Sequence, residues 1–527
     1  MLDIKKDDPG QIEEFDAEAV NKAGVRQPLY AARKKVFPKR ATGNFRRFKW
    51  LVMLLTLGVY YITPWLRWDR GPYAPDQFVL VDLANRRFYF AFIEIWPQEF
   101  YYVAGMLVMA GIGLFLITST VGRAWCGYTC PQTVWVDLFL VVERAIEGDR
   151  NARMKLDAAP WSFDKVWRRL LKHVTWILIG VATGGAWIFY FADAPTLFWD
   201  FVHFDAPSVA YMTVAILTAT TYTFGGIMRE QVCTYMCPWP RIQAAMLDEY
   251  SLTVTYNEWR GEPRSKHAKK MAAQGKPVGD CVDCNACVAV CPMGIDIRDG
   301  QQLECITCAL CIDACDGVMD KLGKERGLIS YATLNDYNNN MRVAMGHDVH
   351  QQGDPVSHIV PANVRKPDGG GFVDRIRNTN WRSIIRPRTL LYFGVWSAIG
   401  IAMLFILATR ERLDLNVLHD RNPLYVMLSD GAVRNGYDVK ILNMTPEPRQ
   451  VTLTLVGLEG GAMKLADGSD AVTSMVLDVE PDKVLPLRLY VQTDPKLLTE
   501  KPQKFELVAT DADAGEESRV TVKFEAP

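Results

Sequence analysis

Outside the stretch from Cys126 to Cys315 the chain has no cysteine. That excludes a disulfide framework, which would scatter its cysteines through exported segments. There is no excess of either charge, with 59 Lys and Arg against 60 Asp and Glu, so a protein that coats nucleic acid is excluded. An apolar content of 49% likewise excludes a disordered chain. No C-x-x-C-H haem attachment site occurs. His173 and His203 fall at opposite ends of one apolar run and cannot sandwich a haem. No Gly-rich phosphate or dinucleotide loop is present, since Gly111 and Gly113 lie inside an apolar run where close helix packing accounts for them. Electrons therefore have to come from a redox partner rather than from a bound nicotinamide. The first fifty or so residues lack the apolar core of a secretory signal and read as a cytoplasmic tail.

What is present begins with five apolar runs long enough for a hydrocarbon core of about 30 Å: 49–68, 100–121, 173–192, 208–228 and 389–409. The fourth is diluted by Thr213, Thr218, Thr220, Thr221 and Thr223, whose hydroxyls are expected to face other helices. Arg and Lys crowd residues 33–49 and recur in 131–172 and 229–388, whereas 193–207 has neither. That asymmetry puts the N-terminus in the cytoplasm. Arg67, Arg70, Arg86 and Arg87 in the first outer loop fit this less well. The tail alternates apolar and polar residues over 424–428, 437–443, 450–456, 473–479, 484–491, 504–510 and 518–524. About seven such strands predict an immunoglobulin-like sandwich outside the cytoplasm.

The expected fold is thus an all-α transmembrane bundle of about five helices, with an inserted bacterial 2[4Fe-4S] ferredoxin-like domain and an all-β immunoglobulin-like tail. Its parts are a cytoplasmic tail (1–48), a transmembrane region (49–240), a cytoplasmic ferredoxin-like domain with an irregular connector (241–388), a fifth helix (389–409) and a periplasmic sandwich (410–527). His347, His350 and His358 in the connector are weak metal-ligand candidates.

The ferredoxin reading rests on eight cysteines. Cys281, Cys284, Cys287 and Cys291 before Pro292 match the run in which three cysteines hold one [4Fe-4S] cube and the fourth crosses to another. Cys305, Cys308, Cys311 and Cys315 repeat the spacing, with Asp316 where Pro is usual. The crossing assigns Cys281, Cys284, Cys287 and Cys315 to one cluster, and Cys305, Cys308, Cys311 and Cys291 to the other. Zinc would close in paired C-x-x-C knuckles, which this spacing does not fit.

Two further motifs follow the second and fourth apolar runs: Cys126-Gly-Tyr-Thr-Cys130-Pro131 and Cys233-Thr-Tyr-Met-Cys237-Pro238. Each precedes an amphipathic helix, at 133–146 and 241–249, so one unit is used twice. Pro after each second cysteine predicts Cys130 and Cys237 at helix N-termini, where partial positive charge, with Arg123, Arg229 and Arg241 nearby, favours thiolate. Four convergent thiolates would suit Cu(I). A reversible disulfide within each pair, or plain packing of buried thiols, competes with that reading.

The two C-x-x-x-C-P units, Trp125 before Cys126, the double-cluster run and the sandwich tail together resemble the CcoG/RdxA/FixG family of cytochrome oxidase accessory proteins. The resemblance covers about residue 40 to the end. It implies reduction of Cu(II) to Cu(I) for assembly of a cbb3-type cytochrome c oxidase in the inner membrane of a Gram-negative bacterium. Cys126, Cys130, Cys233 and Cys237 would then be the copper-handling and catalytic residues. The partners it implies are membrane lipid, an electron donor of unknown identity, and oxidase assembly factors or copper chaperones. A homodimer is open, and no nucleic acid is expected. Two other functions fit the motifs: a conduit from quinol to a periplasmic reductase, and a redox-sensing assembly scaffold.

Overall fold

The computed structural model describes residues 15–17, 19, 35–344 and 384–527, except 73, 446, 467, 469, 482, 499–501 and 512–514. His347, His350, His358 and most of the expected N-terminal tail lie outside the described residues. The chain divides into two compact units, one built from 1–63 and 103–400, the other from 64–102 and 401–527.

In the first unit, helix α1 (Asn44–Ile62) starts beside Asp313. Gly43 stands so close to that carboxylate that a Cβ would collide with it. Asp313 accepts the N–H of Phe45 at 3.2 Å and of Arg46 at 2.7 Å. It thereby supplies the side-chain cap that Gly43 cannot. The expected first span, 49–68, is not seen as a continuous helix. Arg46 and Lys49 are buried on Asp137 at 3.1 and 3.0 Å, so the first turns sit in protein. The apolar remainder, Trp50–Ile62, rises only about 20 Å, and the chain turns into a 3₁₀ segment at Thr63–Trp65.

Among the described residues three helical stretches are long and apolar enough to cross a membrane: Pro97–Val121, which contains α2 (Tyr101–Val121), Phe163–Tyr190, and Pro387–Thr409. Side chains such as Leu107 and Leu404 stay exposed along them, which suits lipid as their solvent. Between the first two, α3 (Pro131–Glu147) and α4 (Arg150–Ala158) follow the first cysteine pair. The third expected span starts ten residues early, as α5 (Phe163–Thr183), and continues as a 3₁₀ segment to Tyr190. Helix α6 (Ala194–His203) and α7 (Ser208–Thr221), extended by a π-helix to Met228, form a pair bent by 94°. Counted as one, that pair makes at most a fourth span among the described residues. Two threonines of α7 depart from expectation, since Thr213 and Thr220 bond carbonyls of their own helix at 2.8 and 3.0 Å, whereas the Thr221 hydroxyl faces the neighbouring helix at Gly184. What brings α7 against α5 is Gly184, where a Cβ would collide with Thr221.

After α8 (Trp239–Met246) the strands Thr253–Tyr256 and Ile329–Ala332 pair antiparallel. They tie together the two ends of the cysteine-rich segment, whose helices Ala286–Val290 and Leu310–Leu322 carry Cys287 and, in the second run, Cys311 and Cys315. Val254, Val288, Ile312, Met319 and Ile329 form their shared core.

The second unit holds a three-stranded antiparallel sheet, Val79–Asp82, Arg87–Phe90 and Ile93–Ile95, in what read as a bare loop. Two arginines that blurred the topology are used here. Arg70 donates to the carbonyls of Gln77 and Phe78 at 2.9 and 3.1 Å, and Arg87 pairs with Glu94 at 3.3 Å. The tail is a two-sheet sandwich. One sheet runs Ala462–Leu465, Val484–Thr493, Val433–Asn443, Leu413–His419, with Val426–Met427 also on Val433–Asn443. The other runs Ser474–Val479, Arg449–Val456, Gln503–Asp511, Glu517–Phe524. Alternate residues such as Tyr437, Val439, Ile441, Leu453, Leu507 and Phe524 fill the core.

Candidate metal centre

Cys281, Cys284, Cys287 and Cys315 line one cavity, together with Tyr256, Arg298 and Met319. Cys291, Cys305, Cys308 and Cys311 line a second, with Cys287 on its wall. The fourth cysteine of each run therefore faces the other run's cavity. The wrapping loops share one conformation. Asp283 and Asn285 in the first run (φ 52° and 58°), and Thr307 and Ala309 in the second (φ 51° and 59°), occupy the left-handed region on either side of the middle cysteine. Non-glycine residues there cost roughly 1–2 kcal/mol each, so the surroundings must hold them. Arg298 does so in the first loop, reaching Asp283 Oδ1 and Asn285 Oδ1 at 2.7 Å each. In the second, the Tyr331 hydroxyl donates to the Thr307 carbonyl at 2.7 Å.

Burial pushes the thiols up, Cys305 to about 11 and Cys291 to about 12, with Cys311 and Cys315 also raised. These are neutral thiols until a metal displaces the proton. Among the described residues no three His, Cys, Asp or Glu converge on a point that one ion would fill. Four soft donors standing around a volume fit an iron–sulfur cube better than a single zinc ion.

The first cysteine of each C-x-x-x-C-P motif sits in a π-helical turn, Trp125–Thr129 or Val232–Met236, and the second closes it. Cys130 is the N-cap of α3, and Cys237 lies just ahead of α8. The four come within electrostatic reach of one another. The expected thiolate at Cys130 is corrected, however. Burial pushes Cys126 and Cys233 up to about 12 and raises Cys130 as well, outweighing the N–H groups of Gln132 and Thr133 that favour its charged form. The Cys126 thiol donates to Gln243 Oε1 at 3.0 Å. Arg123 stands beside Cys126, but Arg229 turns to Glu143 at 3.0 Å and Arg241 is exposed.

The first motif is docked on the second cluster loop. A Cβ on Gly127 would lie 2.7 Å from the Ile306 carbonyl and 3.1 Å from Cys308 Cα, so only glycine allows this approach. Tyr128 donates to the Cys308 carbonyl at 3.3 Å. Arg123 donates to the carbonyls of Leu303 and, at 3.0 Å, Cys305. Cys126 and Cys233 both pack against the apolar cluster that contains Ile306 and Cys308. Sequence reasoning missed Gln243, Arg298 and Tyr331, which stand outside the cysteine motifs and meet their partners only through the fold. It had one usable signal for Gly127, because the matching position of the second motif is Thr234.

This part of the chain is similar to known iron–sulfur families. The family description "4Fe-4S dicluster domain" matches residues 228–334, "4Fe-4S binding domain" matches 103–147, and "IG-like fold at C-terminal of FixG" matches 403–527. "Nitrogen fixation protein FixG" of Rhizobium meliloti is 66% identical over 97% of both chains. "Protein RdxB" of Cereibacter sphaeroides is 54% identical over 88% of this chain and 90% of its own. "Protein RdxA" of the same organism is 52% identical over 83% and 85%. The crystal structure of a FixG-related protein from Vibrio parahaemolyticus matches over 22% of this chain and 97% of its own, at 23% identity and TM-score 0.20.

Proposed function

The chain belongs to the FixG/RdxA family, and on that premise we propose that this iron–sulfur electron-transfer membrane protein reduces Cu(II) to Cu(I) for assembly of a cbb3-type cytochrome c oxidase. The observation that carries the reading is the contact of Gly127 with Ile306 and Cys308. It sets one candidate copper-handling loop directly on a loop that would hold a cluster. When bound at the two cysteine sets, [4Fe-4S] clusters supply one-electron storage. The chain's own part is to wrap those sites, bury them from water and present Cys126, Cys130, Cys233 and Cys237 to copper as substrate.

Thiolates are soft and favour Cu(I) over Cu(II), so ligation draws the reduction forward. Because burial keeps Cys126, Cys130 and Cys233 protonated, copper ligation there expels protons. In this reading the basic flanks hold the N-terminus and the iron–sulfur segment in the cytoplasm, and the sandwich is periplasmic, where it meets assembly factors or copper chaperones. A one-electron donor reloads the store.

The test is anaerobic stopped-flow oxidation of dithionite-reduced protein by Cu(II). A Cys126→Ser/Cys233→Ser double variant is expected to retain its iron and sulfide and lose copper reduction. Normal reduction by that variant removes these sulfurs from the mechanism. Electron loss to quinone analogues but not to Cu(II) points instead to the quinol conduit.

A further inference from the structure

The two C-x-x-x-C-P motifs align residue for residue in sequence, yet the protein treats them differently at four matched positions. Gly127 corresponds to Thr234: the first has no side chain where the cluster loop passes, while the second bonds the Glu230 carbonyl at 3.0 Å through a branched one. Tyr128 corresponds to Tyr235: the first is 6% exposed and bonded to Cys308, the second 64% exposed. Thr129 corresponds to Met236, a thioether 51% exposed beside Cys237. Three residues ahead of each first cysteine, Arg123 corresponds to Glu230, so a cation stands within electrostatic reach of Cys126 and an anion within reach of Cys233.

Given the copper reduction proposed above, we infer that the motifs divide the work: the Cys126–Cys130 loop receives the electron from the iron–sulfur side, and the Cys233–Cys237 loop, with Met236, exchanges copper with the surroundings. The cation at Arg123 favours added negative charge on the first loop. The carboxylate at Glu230 favours an arriving metal cation on the second, and the exposed Met236 sulfur adds a soft donor that selects Cu(I). The balance is one electron per copper. Cu(II) becomes Cu(I) as the protein's reduced iron–sulfur store gives up one electron, and thiol protons leave to solvent as copper is ligated.

Three variants of the full-length, cluster-loaded protein separate the halves. Gly127→Ala forces the two loops apart, because its Cβ would meet the Ile306 carbonyl at 2.7 Å. It is expected to slow cluster oxidation by Cu(II) while Cu(I) retention against a bathocuproine chelator, iron content and the circular dichroism spectrum stay as in wild type. Met236→Leu keeps the size of the side chain and removes the sulfur, and Glu230→Gln removes the charge. Both are expected to lose Cu(I) at chelator concentrations the wild type withstands, with cluster oxidation by ferricyanide unchanged. Equal retention by Met236→Leu and wild type overturns the assignment of the second motif. Weakened Cu(I) retention in Gly127→Ala, or an unchanged oxidation rate, overturns that of the first. A wild type that passes no electron to Cu(II) sinks the copper-reductase reading instead. The retention measurement needs no electron transfer and still decides where copper is held.

Discussion

Asp313 accepts the backbone N–H of Arg46 at 2.7 Å, so the helix that carries Cys311 and Cys315 also starts helix α1. The same carboxylate takes the Phe45 N–H at 3.2 Å and is 7% exposed, so nothing else can replace it as acceptor without rearrangement. Loss of a helix cap costs about 0.5–2 kcal/mol. Asp313→Ala is therefore expected to lower the temperature at which cluster absorbance is lost, and Asp313→Asn, which keeps an acceptor, to lower it less. An unchanged midpoint in Asp313→Ala means the contact holds nothing.

The crossing of the fourth cysteines makes a prediction that depends on which residues are paired. Cys291 shares its cavity with Cys308, whereas Cys284 belongs to the other. A Cys291→Ala/Cys308→Ala double variant damages one site twice and is expected to keep half the iron and sulfide. Cys291→Ala/Cys284→Ala damages both sites and is expected to lose nearly all of it. The reverse pattern in anaerobic metal analysis contradicts the crossing.

The cysteine spacings made the site legible, because a cube needs several thiolates at short range and the chain can supply them only from tight loops. The sandwich was legible for the same local reason: alternation over 437–443 or 518–524 is a period-two signal that a half-buried strand cannot avoid. What was not legible depends on distant partners. Lys49 read as the flank of a span, and only Asp137, far along the chain, makes it a buried residue. The small sheet at 79–95 was hidden among arginines that counted as topology signals. Leu413–His419 and Ala462–Leu465 were missed because one follows a membrane helix directly and the other is only four residues long. The thiolate expectation at Cys130 erred by weighing the helix terminus without the burial that opposes it.

Arg123 is 3% exposed and holds three carbonyls at once, those of Leu303, Cys305 and Pro240. A buried acceptor left without its donor costs about 1–3 kcal/mol. Arg123→Met is expected to loosen the seat of the first C-x-x-x-C-P loop on the second cluster loop. The readout is faster loss of iron in air, with the membrane fraction unchanged. Arg123→Lys should rescue little, since an ammonium cannot reproduce the planar fork. Wild-type oxygen tolerance in Arg123→Met would show that the clamp is dispensable.

Glu143 sets an acid limit. Its carboxylate lies 2.8 Å from Arg153, 3.0 Å from Arg229 and 3.6 Å from Lys172. Burial alone would raise it, but Arg229 and Arg153 outweigh that and hold it at about 2, against an ordinary value of 4.5. A carboxylate depressed on folding contributes stability that is complete above the ordinary value and disappears as pH falls toward the folded one. The window here runs from 4.5 down to about 2, and the contribution is on the order of 3 kcal/mol. Glu143→Gln leaves buried cations uncompensated, so its thermal midpoint starts below wild type at neutral pH. Below pH 4.5 the wild-type midpoint is expected to fall more steeply than that of Glu143→Gln, and the two curves to approach each other. Curves that stay parallel across this window would assign the acid sensitivity to another group.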